Sequence, residues 1–203
     1  MVCWDGNLIQ LFLSILKRLF RLKNILLTFF FNIILIINKL FIIVFKKSFL
    51  RSLLEFLNDK SYSKTKILNK EIKFFTPTKI SEYRVKTLFT KEPDTIKWID
   101  TFKEGEIFYD IGSNIGLYTC YAASRNIKTY SFEPSFFNTE LLVKNISLNK
   151  LSDLVTVIPI PLYCRNSVSN FNLSKIEQGS ALNSFSEKFG YNGKNLSVKM
   201  YYK

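Results

Sequence analysis

The 203-residue sequence contains no histidine. That removes Ser-His-Asp and Cys-His nucleophile systems and any zinc or iron site built on imidazole. Cysteine is nearly as scarce. Cys3, Cys120 and Cys164 show no CxxC spacing and are too few for a disulfide framework. A reducing compartment follows, with Cys120 and Cys164 expected as small buried hydrophobes and no metal expected. Acidic residues are missing altogether from Gly6 to Leu54. Arginine is sparse within a formal charge of +13, which lysine dominates. Arginine suits bidentate contacts with phosphates and base edges, so this charge fits solubility or an anionic membrane better than specific nucleic-acid reading.

What the chain does have is apolar surface. At 47% hydrophobic and 16% aromatic residues it is too apolar for a disordered protein, and the excess is concentrated near the N-terminus. Residues 1–57 form an apolar, basic helical segment punctuated by Lys17, Arg18, Arg21, Lys23, Lys39, Lys46, Lys47 and Arg51. Its centre, Ile25–Phe45, has about the length of a bilayer-spanning helix. Asn32, Asn38 and Lys39 interrupt it, and a lysine deep in a span costs about 2.5–3.5 kcal/mol. The start does not read as a signal peptide, because Asp5 precedes the positive charges, the apolar stretch is overlong and no small-residue cleavage site follows. Three arrangements remain: a single span over about 25–45, a helix lying in the interface, or a helical hairpin packed on protein.

Residues 58–91 read as a polar connector with a possible short strand at Ile72–Phe75. From residue 92 to 203 the pattern becomes regular. A helix opens at Glu92-Pro93-Asp94-Thr95 and ends by Gly105. Strands are predicted at Glu106–Asp110, Lys128–Glu133 and Leu154–Pro159, with helices at Ile115–Arg125 and from Pro134 to about Asn149 between them. Strand-helix-strand-helix-strand at this spacing predicts an α/β fold, a Rossmann-like parallel sheet. Beyond Pro161 the pattern weakens, with strands predicted at Asn170–Ser174 and Leu196–Tyr202.

The candidate site lies where the first of these strands hands over to a helix, at Asp110-Ile111-Gly112-Ser113-Asn114-Ile115-Gly116. Gly112 permits a tight turn with no Cβ in a ligand's way, and Gly116 allows the helix start to pass close to the strand. Helix N-terminal N–H groups there favour a negative group. Glu133, at the tip of the next strand and about 20 residues on, is placed to accept hydrogen bonds from both ribose hydroxyls of a nucleoside cofactor. The dinucleotide fingerprint would demand glycine at 114 and 117, where this chain has Asn114 and Leu117. NAD binding therefore loses on spacing, and with it an oxidoreductase. Arg84 and Glu92 are candidates for closing over the cofactor or touching substrate. Tyr118 and Tyr121 read as packing residues, and Asn145 and Asn149 as helix caps.

Asp110–Gly116 resembles the first motif of class I methyltransferases, and Asn114 within it resembles the FkbM-type family. The runs Phe89–Asp100, Phe132–Asn138, Leu142–Asn149 and Gly179–Phe185 are similar to one branch of that family, over residues 84 to 203 in all. The resemblance implies that Asp110, Gly112, Ser113, Asn114 and Gly116 line a turn receiving the methionine end of S-adenosyl-L-methionine, with Glu133 on the ribose. It implies methyl transfer to an oxygen nucleophile, the acceptor being a small molecule, glycan or lipid-linked sugar. A domain using that cofactor faces the cytoplasm, on a membrane-associated chain. Family members continue into further strands bearing acidic residues. The expectation here is the N-terminal part of such a domain, truncated or completed by a protein partner, with no identifiable general base. The alternative is a non-catalytic remnant, membrane-anchored or partner-binding.

Overall fold

The computed structural model describes residues 6–187, 189 and 198–202, and the chain divides into two units, Met1–Asp59 and Lys60–Lys203.

In the first unit, helix α1 (Gly6–Phe45) runs through the Leu-, Ile- and Phe-rich stretch, which has no glycine or proline to break it. Lys46 takes a φ of 56° and ends it, and α2 (Phe49–Lys60) follows at once. Asn38 builds the corner. Its Oδ1 accepts hydrogen bonds from Ser48 Oγ and the Leu50 N–H, both at 3.0 Å, while Ser48 Oγ accepts from the Arg51 N–H. A polar residue that interrupts the apolar run thus satisfies the exposed donors at the start of α2. Phe41 packs its ring against Phe45 and Phe49. The run Lys17–Phe45 is long and apolar enough to cross a bilayer, with mean hydropathy 2.3 and no burial inside the chain. Length and composition alone say so, and a signal sequence near the N-terminus meets the same test.

The second unit opens with structure where the sequence suggested a connector. Strands β1 (Tyr62–Ile67) and β2 (Lys70–Phe75) form an antiparallel hairpin whose two loop residues, Leu68 and Asn69, both have positive φ. Ile67, Ile72 and Phe74 are buried, so the hairpin belongs to the core. Helix α3 (Lys79–Lys86) follows, with Thr78 and Ser81 forming a reciprocal cap. Helix α4 (Pro93–Asp100) starts on its proline and stops at Thr101, short of Gly105.

The centre is a parallel sheet in the order β3-β4-β5, made of Ile107–Ile111, Lys128–Phe132 and Val155–Ile158. Helices α5 (Leu117–Ser124) and α6 (Phe136–Leu148) form the crossovers. This is the βαβαβ half of a Rossmann-type sheet, so the fold class read from the sequence is the one the structure has, preceded by the apolar helical segment. A second, antiparallel sheet joins β6 (Ser169–Leu173), β7 (Ser184–Phe185) and β8 (Val198–Tyr202); residues 196 and 197, also expected as strand, lie outside the described residues. One face of the parallel sheet packs Phe108, Ile115, Cys120, Leu141, Leu142 and Ile146 into the core. On the other, Ile107, Tyr109 and Ile111 stay exposed, with Tyr109 stacked on Tyr130 at 5.5 Å.

Three local expectations change. Cys120 is buried, but Cys164 is exposed, because it sits on the loop after β5 and outside the core. The close passage at Gly116 is not against a strand. A Cβ there would meet Leu142 Cδ1 at 2.5 Å, so the residue lets the start of α5 approach α6. Asn145 and Asn149 are more than caps. Asn145 accepts from the Phe75 N–H at 2.6 Å and donates to the Ile115 carbonyl at 2.8 Å; Asn149 bonds both the N–H and the carbonyl of Lys73. One buried amide therefore ties hairpin, helix and turn together.

Asn145→Ala leaves one backbone donor and one acceptor unsatisfied and is expected to cost about 2–4 kcal/mol in urea unfolding followed by circular dichroism. A loss below about 1 kcal/mol would contradict this role.

Candidate functional site

Parallel strands β3, β4 and β5 end on one edge of the sheet, and the residues singled out in the sequence gather there. Chain direction reverses between β3 and α5 through Gly112, with φ of 78°, and Asn114, with φ of 52°. A Cβ at Gly112 would meet nothing within 4 Å, so the turn is open on that side. The end of β4 holds it in place. The Phe132 carbonyl accepts from the N–H groups of Gly112 at 2.8 Å and Ser113 at 3.1 Å, and Glu133 Oε2 accepts from the Asn114 N–H at 2.8 Å. Glu133 Oε1 accepts from the Ser135 N–H at 2.8 Å.

A pocket of about 220 Å³ opens beside the turn, lined by Asp110, Gly112, Ser113 and Asn114 together with Arg84, Lys91, Glu92 and Tyr118. Two of the expected residues lie off this wall. Gly116 is packed on Leu142, and Glu133 is only 4% exposed, behind Asn114. Tyr118, expected as packing, is on the wall and donates its hydroxyl to Glu92 Oε2 at 3.0 Å. Tyr121 is a packing residue, with its hydroxyl on Asp100 at 2.7 Å. A larger cleft of about 540 Å³ lies beyond the end of β5, lined by Ile160, Leu162, Tyr163, Arg165 and Phe185 among others.

Burial governs the acids. Desolvation pushes the Asp110 carboxyl from 3.8 to about 6, opposed by hydrogen bonds from Thr119 and Ser113. Thr119 in turn shares a hydrogen bond with Ser131 of β4 at 2.7 Å. Glu133 is also raised by burial, opposed by the N–H groups of Ser135 and Asn114. Among the described residues no three His, Cys, Asp or Glu side chains are placed to hold a metal.

Sequence reasoning missed the strap that ties the turn to the rest of the unit. The Ser180 carbonyl accepts from Asn114 Nδ2 at 2.6 Å and from Asn138 Nδ2 at 3.0 Å. The Gly179 N–H donates to Asn138 Oδ1, and the Gly179 carbonyl accepts from Arg84 Nε at 2.7 Å. Ser180 and Asn138 lie in the runs Gly179–Phe185 and Phe132–Asn138, and their contact spans 42 residues, beyond the reach of local sequence pattern.

No family model matches the chain, and no curated protein sequence matches it. Matches among solved structures include methyltransferases. TYW2 of P. horikoshii, in complex with MeSAdo, is 18% identical with a TM-score of 0.36, covering 50% of this chain and 36% of that one. The SAM-dependent methyltransferase of Agrobacterium tumefaciens is 11% identical with a TM-score of 0.37, covering 50% and 33%. aTrm5, in complex with tRNALeu, is 18% identical with a TM-score of 0.35, covering 49% and 28%. The likeness is one of α/β core alone, and the chain spans 28% and 24% of the length of the first two structures it matches, aTrm5 and PRMT6.

The Asp110 shift fixes a pH dependence. In the unfolded chain this carboxyl loses its proton near 3.8 and in the fold near 6, so between those values the native state holds more protons. Stability attributable to the group therefore falls as pH rises, by about 2 kcal/mol between about pH 4 and 6.5. Urea unfolding across that range is expected to show a fall that Asp110→Asn flattens.

Proposed function

We propose that the unit Lys60–Lys203 binds S-adenosyl-L-methionine and serves methyl transfer to an oxygen acceptor. The observation that carries this is the carboxylate of Glu133 at the tip of β4, hydrogen-bonded to the turn that leaves β3, at the carboxyl edge of a parallel sheet. Such an edge is where open α/β sheets take nucleosides. Each Glu133 oxygen carries one backbone N–H, the Asn138 side chain adds a further hydrogen bond to the carboxylate, and the acceptor capacity that remains is what a ribose hydroxyl would use. The residues present therefore fit a nucleoside with an extension lying over Gly112. When bound, the cofactor supplies a sulfonium-activated methyl group. The chain's own contribution is orientation: Glu133 holds the ribose, the open side of Gly112 lets the chain beyond it pass, and the strap at Gly179–Ser180 holds Asn114 in place.

The motif resemblance to FkbM-type methyltransferases supports an oxygen acceptor, with a small-molecule, glycan or lipid-linked hydroxyl as our reading. The same reading has α1 in or across a membrane, supported by the length and hydropathy of Lys17–Phe45, with the second unit on the cytoplasmic side because the cofactor is there. A second reading, a partner-binding protein without catalysis, has one observation behind it. The open sheet face at Ile107, Tyr109 and Ile111 is of a kind that parallel sheets normally bury.

Calorimetry of the purified chain in mild detergent, with S-adenosyl-L-methionine and S-adenosyl-L-homocysteine, tests the proposal. Micromolar binding is expected, weakened at least about tenfold in Glu133→Ala and lost in Gly112→Asp. No binding by a folded chain would sink it and leave the partner-binding reading. For the anchor, the chain is expected to stay with membranes through an alkaline carbonate wash. Release by about 1 M salt alone would mean attachment by charge without insertion.

A further inference from the structure

The turn after β3 has no backbone donor left over for an anion. Gly112 and Ser113 give their N–H groups to the Phe132 carbonyl, and Gly116 gives its own to the Ser113 carbonyl. Asn114 gives its N–H to Glu133. Ile115 gives its N–H to Asn114 Oδ1, at 3.0 Å. Residues 112–116 therefore offer no N–H to a negative group, and the expectation of helix N-terminal donors rests on the first turn of α5. Counter-charge for a carboxylate at this edge then comes from the first turn of α5, of which Leu117 and Tyr118 line the pocket, and from cationic side chains on the wall.

The pocket wall offers charges of both signs. Arg84 is half-buried, and burial lowers its pKa, with the carboxylates of Glu133 and Glu92 opposing. Its Nε donates to the Gly179 carbonyl at 2.7 Å, which orients the guanidinium. No carboxylate among the described residues forms an ion pair with it. A half-desolvated cation with no carboxylate in ion-pair contact is unfavourable, and an incoming anion relieves it. Glu92, at the N-cap of α4, lines the same pocket and is held by the Tyr118 hydroxyl. Lys91 is 3.7 Å from its other oxygen. Asp110 is turned inward to Thr119, away from this role. The volume, about 220 Å³, is below the roughly 300 Å³ at which pockets for whole drug-sized ligands begin, so it fits part of a nucleoside cofactor.

We propose that Arg84 and Glu92 form an amino-acid subsite, Arg84 taking the carboxylate and Glu92 the ammonium of the zwitterionic end of the cofactor. This rests on the nucleoside reading above and extends it to two residues upstream of the glycine turn. The subsite discriminates: a nucleoside thioether without the amino acid finds Glu133 but leaves Arg84 unpaired.

The test compares two ligands on the full 203-residue chain in mild detergent. S-adenosyl-L-homocysteine has the amino-acid end, and 5′-methylthioadenosine has the nucleoside without it. The wild-type chain is expected to bind the first at least about tenfold more tightly than the second. Arg84→Gln keeps a donor for the Gly179 carbonyl and removes the charge. Glu92→Gln changes an exposed residue and keeps an acceptor for Tyr118. Each is expected to weaken S-adenosyl-L-homocysteine about tenfold and to leave 5′-methylthioadenosine within about twofold of wild type. Parallel weakening of both ligands, or unchanged binding of the first, overturns the subsite. Equal wild-type affinity for the two ligands overturns it as well and leaves the nucleoside reading standing. If the wild-type chain binds neither, the nucleoside reading fails and takes the subsite with it.

Discussion

The end of strand β4 governs the site. Phe132 lends its carbonyl to two successive N–H groups of the neighbouring turn, and Glu133 lends a carboxylate oxygen to the third. Without those bonds, a segment with positive φ at Gly112 and Asn114 would have no reason to keep one shape. Parallel pairing of β3 with β4, in which Ile111 sits opposite Phe132, delivers the donors to the acceptors. The architecture of the sheet and the shape of the turn are one constraint seen at two scales.

A second tier of amide side chains fastens this edge to the rest of the unit. Asn145 joins the hairpin to the Ile115 carbonyl, while Asn114 and Asn138 converge on Ser180. Each is a buried or half-buried polar side chain with its hydrogen bonds made, so each contributes specificity to the packing as well as stability. Arg84 differs. Among the described residues it is bonded through Nε to a carbonyl and has no carboxylate in ion-pair contact, and that difference singles it out from the structural amides around it.

Local signals carried far in the sequence. The alternation of short apolar strands with helices, the glycines at 112 and 116, and the carboxylate at 133 depend on near neighbours, and they led to the α/β sheet and to its carboxyl edge. What stayed hidden depends on partners far along the chain. The hairpin at 62–75 carries lysines at alternate positions and only a few apolar ones, and its place in the core is fixed by Asn145 and Asn149, about seventy residues on. The closeness of Gly116 to Leu142 and the strap at Ser180 are likewise matters of tertiary contact. Even the shortage of free N–H groups at residues 112–116 was illegible, because it follows in part from Asn114 folding its side chain onto the next residue's amide.

That shortage has a dynamic consequence. Amide protons bonded within the chain exchange slowly with solvent whether or not a ligand is present, at a rate set by local opening. Residues 112–116 are bonded in this way from the outset, so the turn is preorganised and orders little on binding. Protection gained on ligand binding is then to be sought away from the glycine motif, in α3 and the segment that follows it, where Arg84 and Glu92 reside.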